Sequence, residues 1–408
     1  MAEEWVEELR DPGSCVATAV GGGSGHGSVD GRPVCVADGF GPPALAALGL
    51  ALKVGCPVVA SAGTATGTGY GELLSRVALA SGVVPQVALV LGAAEGGPAL
   101  VPALADFVVM VEGDGRLQLG DTGAIEAVTG ELVDAEELAG TRAHTVRTGT
   151  AHFRAADLGE AVDLTRALLG YLPANNLEEP PALEAAGDPS PVTARDLELD
   201  GLLPSVAELP FDARRLVERV VDDGELLEVQ ALFAGNLLCG LGRVDGRPVG
   251  VVASQPLVLA GALDAAAAEK AARFVRTCDA FNLPVLTFVD GPGFAPDADQ
   301  ERQGLVRRAA KLAYAYAEAT VPKVTVVARQ AAGPAAEVLG GRPLRADLVL
   351  AWPGARVAGL PPDQAAARGL VHDVVAPSQT RPRVSAALRL LQGKREPLPP
   401  KRHGNIPL

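Results

Sequence analysis

Val321–Leu339 reads VPKVTVVARQAAGPAAEVL and predicts a buried β-strand, a tight turn and the start of a helix. Val324–Val327 is a short run dominated by β-branched residues, which suits an interior strand. Gly333-Pro334 follows, and proline is well tolerated in the first turn of a helix. Such a turn directs backbone N–H groups and a helix N-terminus toward one point, where negative charge can develop. The stretch therefore predicts a catalytic turn.

An earlier stretch has the same plan. Val84–Leu100 reads VPQVALVLGAAEGGPAL, an apolar strand after Val-Pro and then Gly96-Gly97-Pro98 opening a helix. Chance similarity between valine-rich strands is the alternative, but further matches in the same order, one of them an identical hexapeptide, argue against it. We infer two copies of one fold. The other matching pairs are VDGRPV at 29–34 and 244–249, CPVV at 56–59 with LPVL at 283–286, and ADFVVM at 105–110 with ADLVLA at 346–351.

Length, composition and charge exclude several classes of protein. The 408 residues are too many for one hydrophobic core, and the hydrophobic fraction of 48% is sufficient for two. The net charge of −14 disfavours nucleic acid and anionic membrane as partners. No apolar run approaches the roughly 20 residues that span a bilayer, and the acidic start MAEEWVEELR is not a secretory signal. We expect a cytoplasmic protein without membrane contacts.

The cysteines are scattered, and no Cys-x-x-Cys pair occurs. The sequence therefore supports neither a zinc site nor a redox motif, and we expect no metal. Buried free thiols in a reducing compartment are the best account of them. They are Cys15, Cys35, Cys56, Cys239 and Cys278.

The elements alternate between strand and helix twice over, which indicates α/β domains. We predict an N-terminal domain over 1–172, a proline-rich acidic linker over 173–204 and a C-terminal domain over 205–408. The glycine-rich segment 21–27 (GGGSGHG) has neither the Gly-Lys-Ser/Thr ending of a P-loop nor a GxGxxG pattern. We interpret it as a bend between strands, with His26 as a loop residue.

Several motifs resemble the carboxyltransferase (β) subunit of biotin-dependent acyl-CoA carboxylases of the propionyl-CoA carboxylase type. The resemblance covers nearly the whole chain and is specific. The motifs are VDDG at 221–224, AFNLP at 280–284, VDGPGF at 289–294, AEATVPKV at 317–324 and the tail HGNIPL at 403–408.

The resemblance implies a fold and a reaction. The fold would be α/β, with tandem duplicated crotonase-like domains built as spirals of ββα repeats. The reaction would move a carboxyl group from N-carboxybiotin to the α-carbon of an acyl thioester, through enolates held in two backbone oxyanion holes. Gly96 and Gly97 would form one hole, and Gly333 and Ala335 the other. Biotin's own nitrogen could take the α-proton, so no side-chain base is required.

The resemblance also implies a set of ligands and partners. The carboxybiotin would sit on a separate carrier protein, because this chain has no biotinyl-lysine motif. The substrate would be an acyl-CoA or a carrier-protein thioester. Active sites would lie between the N-domain of one copy and the C-domain of another, in a homo-oligomer that is a dimer or a hexamer. A biotin carboxylase or carrier subunit, or a homologous carboxyltransferase subunit, would be a further partner.

The chain departs from the family at chemically sensitive places. Where the family has Gly-Gly-Ala turns, this chain has Gly96-Gly97-Pro98 and Gly333-Pro334-Ala335. Proline has no N–H, and losing one oxyanion donor costs roughly 3–4 kcal/mol of transition-state stabilisation. Alternatively, both prolines simply start helices and the donors lie one residue earlier. The family's Gly-Gly-Ala-Arg loop is Gly63-Thr64-Ala65-Thr66 here, without the arginine.

Three functions are therefore weighed. The first is a biotin-dependent carboxyltransferase of altered acyl specificity, which the resemblance favours. The second is biotin-independent enolate chemistry on a thioester, either decarboxylation, hydrolysis or condensation, for which one intact hole would suffice. The third is a non-catalytic subunit that pairs with an active homologue.

Overall fold

A computed structural model describes residues 4–14, 16–17, 23–62, 70–184, 187, 191–204 and 209–407. The chain forms two compact units, which we call unit 1 (Met1–Pro180) and unit 2 (Pro181–Leu408). Each unit has its own main sheet and its own buried core. Within the described part of the chain, no helix has both the length and the apolar character that crossing a membrane requires.

The main sheet of unit 1 has the strand order β1-β2-β3-β4-β5-β7-β9, and β6 pairs with β8 in a small parallel sheet. The first three strands run antiparallel, and the remaining neighbours in the main sheet run parallel. The strands are β1 (Val16–Ala17), β2 (Ser24–Val29), β3 (Arg32–Asp38), β4 (Val58–Ala62), β5 (Gln86–Val90), β6 (Ala93–Glu95), β7 (Phe107–Val111), β8 (Arg116–Gln118) and β9 (Phe153–Ala155). The helices are α1 (Glu4–Leu9), α2 (Pro42–Val54), α3 (Gly71–Ala80), α4 (Leu100–Leu104), α5 (Thr122–Thr129), α6 (Ala135–Ala139) and α7 (Leu158–Leu169).

The main sheet of unit 2 has the matching order β10-β11-β12-β13-β14-β15-β17, with β16 pairing with the end of β14. Here too the first three strands are antiparallel and the later pairs are parallel. The strands are β10 (Leu226–Val229), β11 (Leu237–Val244), β12 (Arg247–Ser254), β13 (Val285–Gly291), β14 (Lys323–Ala331), β15 (Leu348–Ala351), β16 (Arg356–Val357) and β17 (Asp373–Val374). The helices are α8 (Ala194–Leu197), α9 (Ala213–Val220), α10 (Ala265–Ala280), α11 (Ala298–Arg302), α12 (Leu305–Glu318), α13 (Ala335–Val338), α14 (Pro362–Ala367) and α15 (Thr380–Leu391).

The repeated hexapeptide forms the same hairpin in both units. Asp30 and Gly31 join β2 to β3 with φ angles of 51° and 74°, and Asp245 and Gly246 join β11 to β12 with 58° and 74°. Two successive residues at positive φ suit the type I′ turn that matches the twist of paired strands, and Asp-Gly favours it. The duplication predicted from the sequence therefore extends to backbone conformation.

The opposite edge of each sheet is also held in the same way. In unit 1 the Val108 N–H donates to Nδ1 of His152 at 3.1 Å, and in unit 2 the Val349 N–H donates to Nδ1 of His372 at 2.9 Å. Each histidine returns a bond through its own backbone N–H to the same valine's carbonyl, at 2.9 and 2.8 Å. These imidazoles satisfy backbone donors, so they are structural.

The interpretation of the glycine-rich segment as a bend was wrong for the residues inside β2, although Gly23, just before β2, does bend, with a φ of 83°. Gly25, His26 and Gly27 lie inside β2 and pair with β3, whereas residues 21 and 22 lie outside the described part. A Cβ on Gly27 would stand 2.6 Å from Cδ of Arg10 and 2.9 Å from Oγ of Ser14. Glycine is needed there because another segment approaches the strand closely, not because the chain turns.

Candidate active site

The corner of unit 1 follows β6. Gly96 has φ 67° and ψ −134°, a conformation that residues with a Cβ rarely adopt. A single 3₁₀ turn, Gly97–Ala99, then leads into α4. Because α4 has only five residues, the helix dipole contributes little here, and individual N–H groups decide what the corner can bind.

The N–H groups of this corner are not equivalent. The Gly96 N–H donates to the Gln118 carbonyl at 2.8 Å, which continues the ladder between β6 and β8. The Gly97 N–H makes no hydrogen bond to any described residue, and Pro98 has none to offer. Of the two donors predicted here, the structure therefore leaves Gly97 available and engages Gly96.

An aromatic ring covers the same corner. A Cβ on Gly97 would stand 2.1 Å from Cδ2 of Tyr70, so no side chain fits there unless the ring moves. Tyr70 directly precedes α3, at the end of the loop in which an arginine is expected from the family. That loop, with Gly63–Thr66, lies outside the described residues. The ring was not singled out from the sequence, because its contact with Gly97 spans 27 positions of the chain.

The corner of unit 2 follows β14. Gly333 has a φ of 58°, is exposed, and has open space where a Cβ would stand. Pro334 immediately precedes α13, and Ala335 is its first residue. Neither the Gly333 nor the Ala335 N–H bonds to another described residue, whereas the Gly333 carbonyl accepts from Ala336 at 3.1 Å. This corner thus offers two donors on either side of a proline.

The two corners differ in where proline interrupts them. Counted from the Val-Pro that begins each repeat, Gly96-Gly97-Pro98 occupies the same positions as Gly333-Pro334-Ala335. Proline removes the third donor in unit 1 and the second in unit 2. Both prolines also stand at helix starts, so each remaining glycine donor directly precedes a proline.

A strained segment of unit 2 was not predicted from the sequence. Leu259, Ala260 and Gly261 have φ angles of 49°, 52° and 76° in succession. A non-glycine residue in this left-handed region costs roughly 1–2 kcal/mol, and such strain concentrates at functional sites. A Cβ on Gly261 would stand 2.4 Å from the Asp290 carbonyl oxygen, so the segment packs against the end of β13. No local residue pattern predicts this run.

Charge is distributed unevenly between the units. Unit 1 contains 23 Asp and Glu against 9 Lys and Arg, and unit 2 contains 26 of each, so the whole net charge of −14 lies in unit 1. A polyanionic ligand is repelled less by unit 2 than by unit 1.

Comparison with known proteins identifies one family. The carboxyl transferase domain family matches residues 50–367. The propionyl-CoA carboxylase beta chain of Saccharopolyspora erythraea is 44% identical over 94% of this chain and 83% of its own length. The biotin-dependent acetyl-/propionyl-coenzyme A carboxylase beta5 subunit of Mycobacterium tuberculosis is 41% identical over 94% of this chain and 82% of its own.

A solved structure agrees with these relatives. The transcarboxylase 12S subunit, determined as a hexamer with hydrolysed methylmalonyl-coenzyme A bound, superimposes with a TM-score of 0.95 at 35% sequence identity. The superposition covers 100% of this chain and 92% of that one.

Proposed function

The chain belongs to the carboxyl transferase domain family, and from that premise we propose that it transfers a carboxyl group between carboxybiotin and the α-carbon of an acyl-CoA. It is an enzyme of the acyl-CoA carboxylase type, as its relatives over 94% of its length are. The best-supported substrates are short acyl-CoA thioesters, since acetyl and propionyl groups appear in the names of those relatives.

The observation that supports the mechanism is the pair of corners with unengaged backbone donors. Gly97 in unit 1, and Gly333 and Ala335 in unit 2, each present an N–H with no partner among the described residues. Both reactants carry a carbonyl whose oxygen becomes negative in the transition state, and preorganised N–H groups stabilise such charge. We assign Gly97 to one carbonyl and Gly333 with Ala335 to the other. Gly96, already bonded to Gln118, would support the turn.

Carboxybiotin would supply the carboxyl group and, once that group has left, a ring nitrogen that can take the α-proton. The chain's own contribution is to hold the two carbonyl oxygens and exclude water. At the first corner the Tyr70 ring beside Gly97 provides an apolar wall for a flat group. We propose that a separate carrier protein brings the biotin and that the protein is a homo-oligomer, as the transcarboxylase 12S hexamer suggests. The unpaired buried thiols favour the cytoplasm.

Reconstitution tests this function. The purified chain is combined with a biotin carboxylase, a biotinylated carrier, ATP and labelled bicarbonate, and acetyl-, propionyl- or butyryl-CoA is added. We expect acid-stable label in the acyl-CoA. The same mixture with unbiotinylated carrier is the control, together with a Gly97→Ala variant.

The outcomes separate the three functions weighed from the sequence. Label that requires biotin and is lost in Gly97→Ala supports the proposal. Turnover of malonyl- or methylmalonyl-CoA without biotin would instead favour the biotin-independent enzyme. No turnover in either assay, with co-purification of an active homologue, would favour the non-catalytic subunit.

A further inference from the structure

The carboxylate of Asp290 lies at the end of β13 with only 6% of the residue exposed. Its Oδ2 accepts from Nε of Arg329 at 2.7 Å, and its Oδ1 accepts from the Gln330 N–H at 3.2 Å. Burial raises the pKa of Asp290, and the Arg329 charge opposes that rise. The guanidinium also donates to the Leu209 carbonyl at 2.6 Å and lies 4.9 Å from the centre of the Phe211 ring. The ion pair is therefore fixed on several sides.

This pair occupies an irregularity of the sheet. Between β13 and β14 the register slips so that one residue, Asp290, stands opposite three residues, 328–330. Both acceptor oxygens of Asp290 are used by members of that three-residue segment, Arg329 and Gln330. The carboxylate thus fixes the extra length of β14 just before the corner. The flanking pairs are Val289 with Val327 and Gly291 with Ala331.

The main chain of Asp290 contacts the strained segment Leu259–Gly261. Its carbonyl oxygen is so close to Gly261 that a Cβ there would stand 2.4 Å away. Asp290 consequently contacts the left-handed segment Leu259–Gly261 through its backbone and the last residues of β14 through its side chain. No other residue type would satisfy a backbone N–H and a buried guanidinium in this way with so short a side chain.

We propose that Asp290 is a positioning residue, which fixes where the N–H groups of Gly333 and Ala335 point. The inference rests on the proposed function, because it assigns those donors to a reacting carbonyl. Only one residue lies between Ala331, the end of the paired strand, and Gly333, so a shift in β14 passes directly to the corner. A misplacement of about 1 Å in an active site can lower the rate by about a hundredfold.

An Asp290→Asn variant tests the proposal, since it keeps the size and one acceptor oxygen but removes the charge. We expect kcat for carboxyl transfer to fall about 10- to 100-fold, with KM for acyl-CoA changed less than about threefold. The matched control is Asp347→Asn. Oδ2 of Asp347 accepts from the Lys323 N–H and from Nζ of Lys394, both at 2.8 Å, at the opposite end of β14. Its kcat should stay within about twofold of the wild type.

Two further readouts separate positioning from simple loss of stability. Arg329→Gln alone leaves the buried Asp290 charge without its guanidinium partner, so adding Asp290→Asn to it should restore part of kcat. Amide hydrogen exchange at Ala336, whose N–H donates to the Gly333 carbonyl, should accelerate in Asp290→Asn but not in Asp347→Asn. This expectation holds whether or not the chain transfers carboxyl groups. Equal kcat losses in the two Asn variants, or unchanged exchange at the corner, would overturn the proposal. If the wild type transfers no carboxyl group but exchange is still faster in Asp290→Asn than in the wild type, only the proposed function is refuted.

Discussion

Units 1 and 2 share one sheet order, yet they build their corners differently. In unit 1 the ladder of β6 and β8 continues to the Gly96 N–H, and a tyrosine ring covers Gly97. In unit 2 the ladder of β14 and β16 stops at Ala331, two residues before Gly333, and the space beside Gly333 is open. One corner is covered and offers one donor, and the other is open and offers two. The comparison shows that one duplicated fold carries two corners of different backbone geometry.

The sharpest test of this difference is a methyl group at each corner. In Gly97→Ala the new Cβ would overlap the Tyr70 ring, so the corner or the ring must move. We expect kcat/KM for carboxyl transfer to fall about 10²- to 10³-fold, as when an oxyanion donor is lost. In Gly333→Ala nothing lies within 4 Å of the new Cβ, and only the φ of 58° opposes it. We expect a loss of no more than about tenfold.

The steric explanation has its own control. Tyr70→Ala combined with Gly97→Ala should recover part of the activity if overlap with the ring is the cause. Equal losses in Gly97→Ala and Gly333→Ala would contradict the distinction between a covered and an open corner.

The strands that lead to the corners differ at their first residue. Gln86 begins β5 and donates from Nε2 to the Val77 carbonyl, whereas Lys323 begins β14 and donates from Nζ to two carbonyls, those of Tyr316 and Ala319. Burial, with help from nearby Lys394 and Arg345, lowers the pKa of Lys323 to about 8. Between pH 8 and the ordinary lysine pKa of 10.5, the unfolded chain binds a proton that the folded chain has released.

The stability of unit 2 should consequently rise with pH across that window, by up to about 3 kcal/mol. Lys323→Gln, which copies unit 1, should lack this rise. Urea unfolding followed by Trp352 fluorescence in a Trp5→Phe background reports on unit 2 alone, since the chain has 2 tryptophans. Burial also raises the pKa of Tyr316, which makes the stability of unit 2 fall with pH above about pH 10. The quantity to compare is therefore the difference in unfolding free energy between the wild type and Lys323→Gln at each pH. Parallel pH profiles would refute the assignment.

A smaller change in kcat is expected when the proline of each corner is replaced. Pro334→Ala adds an N–H between the donors of Gly333 and Ala335, and Pro334 is exposed in this structure. We expect kcat to rise by up to about tenfold, the effect of one further hydrogen bond to a charged oxygen. Pro98→Ala adds its N–H at a buried position, so kcat should change less than about twofold. If neither variant gains activity, both prolines serve only to start their helices.

The sequence predicted the scaffold well because its signals are local. The prediction of tandem crotonase-like α/β domains is confirmed by the match to transcarboxylase 12S. Helix starts are a local signal of this kind, since Asp134 and Asp264 cap their helices by accepting from the N–H groups of Glu137 and Ala267, three residues further along the chain.

The parts of the site that were not predicted depend on contacts between distant segments. The left-handed run at Leu259–Gly261 has no turn signature at its first two residues, and its packing against Asp290 decides its conformation. The ion pair of Asp290 with Arg329 joins residues 39 positions apart. The assignments of Gly97, Gly333 and Ala335 as donors stay predictions, because no bound carbonyl tests them.

The smallest expected effect concerns the features that the units share. Gly31 and Gly246 occupy the same turn position, and both have a φ of 74°. No atom lies within 4 Å of the position that a Cβ on Gly31 would take. Replacing either glycine by alanine forces a residue with a Cβ into the left-handed region, which costs about 1 kcal/mol. The loss should therefore be similar in the two units. Carboxyl transfer should be unaffected, because the hairpins lie at the N-terminal ends of β3 and β12, whereas the corners lie beyond the C-terminal ends of β5 and β14, which run in the same direction. Thermal unfolding of the two variants measures this directly. A markedly larger loss in one unit would show that the common hairpin has also diverged, and that the duplication preserves sequence there without preserving its energetic role.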